Sequence, residues 1–102
     1  MILSKEEAIS LVLGFSKNND VNSMTKLNKL IARLNLHLIP IDINFSLNKY
    51  GSFNPELQEL SSNKYFEKYT YDFKGKEIFG FRIKPEGQIL FQNIALRKIQ
   101  RI

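Results

Sequence analysis

The side chains best suited to chemistry in this chain are cations, and most of them lie in its C-terminal part. Residues 64–102 hold nine lysines and arginines against four carboxylates, whereas residues 1–63 hold six of each. Because lysine and arginine neutralise phosphate oxygens, this excess favours an acidic partner such as nucleic acid. A soluble protein that is merely basic would carry the same net charge of +5, so that alternative stays open.

Combinations of residues that catalyse reactions or hold metals are absent from the sequence. There is no cysteine and one histidine, His37, so thiol chemistry, disulfides and a Cys/His metal cluster are excluded. Neither a nucleophile–histidine pair nor a glycine-rich phosphate loop stands at a recognisable spacing. Surface solubilisation explains Asp42, Glu56 and Glu59 better than a metal cluster does. We therefore expect a binding protein with no catalytic activity, metal or cofactor.

The length of 102 residues fits one domain, spanning 1–102, with one hydrophobic core. No apolar run approaches the ~20 residues that span a bilayer. The N-terminus lacks a basic region followed by an apolar one, so no signal peptide is expected. These features predict a cytoplasmic protein without a membrane segment.

Two helices are predicted in the first third of the chain. Ser4 and Glu7 have the spacing of a capping box, which opens a helix that ends near residues 17–20. After a polar link over residues 20–23, a second helix runs from about Ser23 to Asn35. One face of it is apolar, and another carries a basic ridge formed by Lys26, Lys29 and Arg33. Such a ridge suits a phosphate backbone, although a solvated helix face is the plainer alternative.

The middle of the chain predicts extended structure followed by a short helix. Residues 36–50 are rich in β-branched side chains and indicate one or two strands, with Pro40 at a bend or sheet edge. Gly51 suits a tight turn. Asn54 and Pro55 then fit the N-cap and first position of a third helix of two to three turns.

Residues 64–84 alternate with a period of two and predict a β-hairpin, with Lys74-Gly75-Lys76 as its turn. The register we expect places Tyr71 beside Phe79 and Tyr69 beside Phe81, which makes one face aromatic and the other basic. A final helix then closes the domain over residues 85–102.

This order of elements resembles a winged helix-turn-helix with an added C-terminal helix. Four segments are similar to parts of small winged helix-turn-helix proteins of archaea, their viruses and bacteria. They are Thr25-Lys26-Leu27-Asn28-Lys29-Leu30, Tyr50-Gly51-Ser52-Phe53-Asn54-Pro55-Glu56-Leu57, Tyr65-Phe66-Glu67 and Phe81-Arg82-Ile83-Lys84-Pro85-Glu86-Gly87. The richness in lysine, asparagine and isoleucine also resembles proteins of archaeal viruses, for which the location would be the host cytoplasm.

The resemblance implies an α+β, winged-helix-like fold of about four helices, a two-stranded wing and one or two further short strands. It also implies a small transcriptional regulator that binds double-stranded DNA, with its third helix in the major groove and its wing near the backbone. Glu56 and Glu59 on the third helix oppose this placement, because phosphates would repel them. The residues expected to contact nucleic acid are Lys26, Lys29, Arg33, Lys49, Ser52, Gln58, Lys64, Lys74, Lys76 and Arg82, with Asn54, Ser61 and Ser62 as further base-reading candidates.

A protein–protein interaction module is the alternative. Leu27 and Leu30 recur as Leu57 and Leu60, which hints at two helix-plus-hairpin units. A groove between such units, or an open strand edge, would accept a peptide. A homodimer through the first or last helix fits either hypothesis.

Overall fold

The computed structural model describes residues 3–36, 46–48, 51–53, 57 and 59–99. Within these residues it is an α+β protein with three α-helices, where about four were predicted. The helices are α1 (Lys5–Phe15), α2 (Met24–Leu36) and α3 (Pro85–Ile99), and a 3₁₀ turn (Lys17–Asn19) follows α1. The strands are β1 (Asp20–Val21), β2 (Ser46–Asn48), β3 (Gly51–Phe53), β4 (Phe66–Phe73) and β5 (Lys76–Ile83).

The capping box predicted for α1 is confirmed. Ser4 Oγ accepts from the Glu7 backbone N–H at 3.2 Å, and Glu7 Oε1 accepts from the Ser4 N–H at 3.1 Å. These two bonds satisfy donors that no preceding turn of helix can reach. At the other end, Asn18 and Asn19 adopt φ values of 58° and 54°, and their left-handed backbone turns the chain out of the helix into β1.

Strand β1 was not predicted from the sequence, which indicated a polar link over residues 20–23. Val21 is only 1% exposed and pairs with Phe81 of β5, while Asp20 pairs with Arg82. Two residues are too few to show the alternation that identifies a strand. The strand exists because β5 supplies its hydrogen-bonding partner, and the sheet order is β1–β5–β4, antiparallel throughout.

The predicted hairpin of β4 and β5 is present, but its register differs by one residue from the prediction. The turn contains two residues, Lys74 and Gly75, with φ values of 53° and 80°, and not three. Positive φ at both central residues is typical of the type I′ turn, whose twist matches that of the flanking strands. The shorter turn pairs Phe73 with Lys76, so Tyr71 lies beside Ile78 and Tyr69 beside Gly80, and the expected Tyr71–Phe79 and Tyr69–Phe81 pairs are wrong.

The middle of the chain forms a second hairpin, in which β2 and β3 pair from Ser46–Phe53 to Asn48–Gly51. Strand β2 confirms a strand in the predicted extended run, but Gly51 begins β3, where a turn into a helix was expected. In the predicted short helix that follows Asn54, Leu57 and Glu59 are helical, whereas residues 60–63 are not. Predictions for residues 37–45, including His37, Pro40 and Asp42, and for Lys49, Tyr50, Asn54, Pro55, Glu56 and Gln58 lie outside the described residues.

The core lies between the helices and one face of the three-stranded sheet. Phe66 and Phe81 are fully buried there, with their rings edge to face at 5.3 Å. Helices α1 and α2 both contact β5. Helix α3 packs closely on α1, since a Cβ built at Gly14 would overlap the Phe91 ring. The other buried apolar side chains are Leu3, Ala8, Ile9, Leu11, Val12, Leu13, Val21, Met24, Leu27, Ile31, Leu57 and Ile94.

Candidate nucleic-acid interface

The register of the β4–β5 hairpin decides which side chains share each face of the sheet. One face contains Phe66, Phe79 and Phe81 and packs on the helices. We call the other the tyrosine face, which points away from that core because side chains alternate along a strand. Its members are Glu67, Tyr69, Tyr71 and Phe73 of β4, Lys76, Ile78, Gly80 and Arg82 of β5, and Asp20 of β1.

Tyr69 lies across β5 on the tyrosine face. Its hydroxyl donates to Asp20 Oδ1 at 2.5 Å. A Cβ built at Gly80 would lie 2.5 Å from the Tyr69 Cζ, so the glycine makes room for the ring. Burial, together with the hydrogen bond to the Asp20 carboxylate, raises the pKa of Tyr69 well above its usual value.

Tyr71 lies beside Tyr69 and is anchored in the same way. Its hydroxyl donates to the Asn22 carbonyl oxygen at 2.5 Å, and the two ring centroids are 6.1 Å apart with planes inclined by 30°. Both hydroxyls are thus fixed to the segment between α1 and α2. The two rings are held in position by contacts 49 residues away in the sequence.

Arg82 occupies the half of the tyrosine face nearest the body of the protein. One of its guanidinium nitrogens lies 3.9 Å from Glu67 Oε2, and its guanidinium carbon is 4.8 Å from the Tyr69 ring centroid. Both charged side chains are more than half exposed. An ion pair in that setting contributes little, because water screens it and ordering the side chains costs entropy. The Arg82 guanidinium therefore lies close to Glu67 and Tyr69 but is held only weakly by the ion pair.

The tip of the hairpin separates its cations from its carboxylates. On the tyrosine face Phe73, 56% exposed, is paired with Lys76, and Lys74 in the turn has its Nζ 5.4 Å from the Phe73 ring centroid. Asp72 and Glu77 pair with each other on the opposite face. Beyond Tyr69 and Gly80, the described part of the tyrosine face therefore holds aromatic, aliphatic and cationic side chains and no carboxylate.

The predicted ridge on α2 is exposed, and its two ends border different features. Lys26 lines a polar depression of about 360 Å³ together with Lys17, Asp20 and Asn22. Since Asp20 and Asn22 also hold the two tyrosines, this end of α2 adjoins the tyrosine face. Arg33, two helical turns further on, lines an apolar groove between α1 and α2 instead. Lys17 is a cation of this surface that was not predicted from the sequence, where it was read only as part of the end of α1.

The remaining predicted contacts are scattered or outside the described residues. Lys64 is exposed, with its Nζ 5.0 Å from the Tyr65 ring centroid, on the surface beside α3. Ser62 Oγ accepts from the Lys68 N–H at 2.8 Å, so this hydroxyl fixes the start of β4. Ser61 is exposed, and Ser52 belongs to β3.

The described part of the chain shows features of neither a metal site nor a membrane-spanning helix. It holds no group of three or more His, Cys, Asp or Glu side chains arranged to bind a metal ion. In the same residues, no helix is long and apolar enough to cross a membrane. The chain matches no protein-family model, no curated protein and no solved structure.

Proposed function

We propose that this protein binds double-stranded DNA and acts as a small transcriptional regulator, with the β4–β5 hairpin as its wing. The observation that carries the proposal is the separation of charge at the hairpin tip, where Lys76 lies on the face opposite Asp72 and Glu77 and the Lys74 ammonium lies beside the Phe73 ring. A cationic tip free of nearby carboxylates on its own face suits a phosphate backbone, which supplies most of the affinity of sequence-independent binding.

The topology supports a winged-helix-like arrangement. Two helices, α1 and α2, precede the hairpin, and the short strand between them pairs with β5 so that the sheet order is β1–β5–β4. In a winged helix the hairpin extends from such a sheet toward the backbone of the duplex. Residues 70 and 72–77 are all exposed, which fits a hairpin end that projects from the body.

Lys17 and Lys26 extend the proposed contact surface toward the start of α2. They line one depression whose Asp20 and Asn22 also hold the tyrosine rings. The duplex would therefore contact the tip of the wing and the start of α2 together. Lys29 and Arg33 lie further along the exposed ridge and would meet phosphates only if the duplex follows the helix.

Fluorescence anisotropy with a labelled duplex of random sequence tests the proposal. We expect binding with a Kd of ~10⁻⁴–10⁻⁶ M that weakens as salt is raised. Lys74→Gln/Lys76→Gln should weaken it, whereas Arg97→Gln/Lys98→Gln, which removes the same charge at the end of α3, should change it much less. Absence of binding at low salt would overturn the proposal.

A protein-binding function is the second candidate, favoured by the groove between α1 and α2. Its volume is about 270 Å³, and its lining is mainly apolar, from Leu11, Val12, Phe15, Leu30 and Leu34. Phe15 is 72% exposed on its rim. Binding of a peptide in this groove would survive high salt, because apolar burial is not screened. Isolation of a partner at high salt whose binding is lost in Phe15→Ala would favour this candidate.

A further inference from the structure

We propose that the tip of the tyrosine face stacks on unpaired bases, so that the protein prefers DNA containing a single-stranded segment to a fully paired duplex. The inference rests on the proposed DNA binding and specifies the form of DNA that is bound. It concerns Tyr71 and Phe73, the two aromatic side chains on this face nearest the turn.

Tyr71 is fixed before any ligand arrives. Its hydroxyl is hydrogen-bonded to the Asn22 carbonyl oxygen, and its ring lies beside that of Tyr69. A ring that is already ordered loses little conformational entropy on binding. The ring remains partly exposed, so it can still meet a ligand.

Phe73 is exposed on the tyrosine face. It lies two residues from Tyr71 on β4, about 6.5 Å further along the same face. This separation leaves room for two bases, each on its own ring. More than half of the Phe73 side chain meets solvent, and stacking would cover apolar surface that the folded protein leaves in water.

The charges around the two rings favour a nucleic acid over an apolar protein surface. Lys74 and Lys76 flank Phe73, while Asp72 and Glu77 are on the other face of the hairpin. Aromatic rings interleaved with cations are the arrangement by which proteins hold single strands, since rings take bases and cations take phosphates. In a duplex the base faces are stacked on each other and are not available, so only the cations would act there.

The test compares four 12-nucleotide DNA ligands by anisotropy: a thymidine single strand, an abasic strand with the same phosphates, a duplex, and a duplex with a central gap. The variants are Phe73→Ala, Phe73→Leu and, as a matched exposed aromatic elsewhere, Phe15→Leu. Stacking predicts that Phe73→Ala weakens binding of the thymidine strand and the gapped duplex by about fivefold or more. Binding of the intact duplex and the abasic strand should stay within about twofold.

Tyrosine emission provides a second readout, because the chain contains four tyrosines and no tryptophan. The thymidine strand should quench it more than the abasic strand does, and Tyr71→Leu should remove that difference. If Phe73→Ala weakens the binding of all four ligands equally, or of none of them, the stacking proposal is wrong while the DNA-binding proposal stands. If no ligand binds at low salt, both proposals are wrong. A loss in Phe15→Leu equal to that in Phe73→Leu would also overturn the assignment to this face.

Discussion

The Tyr69 hydroxyl reaches across Gly80 and donates a hydrogen bond to Asp20, which joins the two outer strands of the three-stranded sheet over the central one. Tyr71 makes the neighbouring contact with the Asn22 carbonyl oxygen. The hairpin is thus fixed to the segment between α1 and α2 by side chains as well as by backbone pairing.

Gly80→Ala should destabilise the protein by about 1–3 kcal/mol, because the new methyl group would overlap the Tyr69 ring and force it off the sheet. Urea unfolding of the wild type and variant measures the change. In a Tyr69→Ala background the same substitution should cost much less. An unchanged cost in that background would show that the ring is not what the methyl group meets.

Tyr69→Phe should lower the free energy of unfolding near neutral pH by about 1 kcal/mol, because it removes the hydrogen bond and leaves the partly buried Asp20 carboxylate without this donor. Circular dichroism during urea unfolding provides the value. Tyr71→Phe is the matched comparison, since it removes a hydroxyl from the adjacent ring without affecting Asp20.

The free energy of unfolding should also fall at high pH because the Tyr69 hydroxyl ionises more readily in the unfolded chain. The folded-state pKa of this hydroxyl is raised by burial and by the bond to Asp20. Its contribution is therefore fully present below the unfolded pKa of about 10 and is lost as pH rises toward the folded value. Tyr69→Phe should abolish that part of the alkaline loss, and absorbance titration should show one fewer late-ionising tyrosine. An identical alkaline profile in both proteins would contradict the assignment.

Lys74→Asn should stabilise the protein by a few tenths to about 1 kcal/mol, because Lys74 has a positive φ that asparagine tolerates better at the first position of a type I′ turn. Thermal unfolding detects the gain. Gly75→Ala is the contrasting variant and should destabilise the protein, because φ is 80° there and residues with a Cβ rarely adopt that value. The cost would come from the backbone alone, since no neighbouring atom is within 4 Å of the added methyl group. A loss in Lys74→Asn would argue against the two-residue turn.

Local signals predicted much of the fold. Ser4 and Glu7 specify the start of α1 through contacts within one turn, and the period of two over residues 64–84 specifies the β4–β5 hairpin. The register could not be predicted, because Lys74-Gly75-Lys76 allows turns of two or three residues. A shift of one residue in the pairing changes which side chains of β4 share a face with those of β5. The observed register puts Asp72 on the face opposite Lys76, and it places the tyrosines on the side opposite the core.

The candidate surface depended on contacts that sequence spacing does not reveal. Lys74, Lys76 and Arg82 were predicted from the sequence, whereas Lys17 joins the surface through the depression that it lines with Asp20, Asn22 and Lys26. Gly80 shows why the tyrosines could not be placed in advance. A glycine within a strand suggests a close approach without naming the partner, which here comes from the neighbouring strand.

The most direct test of the account is the salt dependence of duplex binding. The logarithm of the association constant should fall linearly with the logarithm of salt concentration, with a slope of about −0.9 for each phosphate contacted. Lys74→Gln/Lys76→Gln should make that slope shallower by about 1.8, two contacts' worth, while Arg97→Gln/Lys98→Gln leaves it nearly unchanged. Equal slopes for the wild type and both variants would contradict the claim that the hairpin tip contacts DNA.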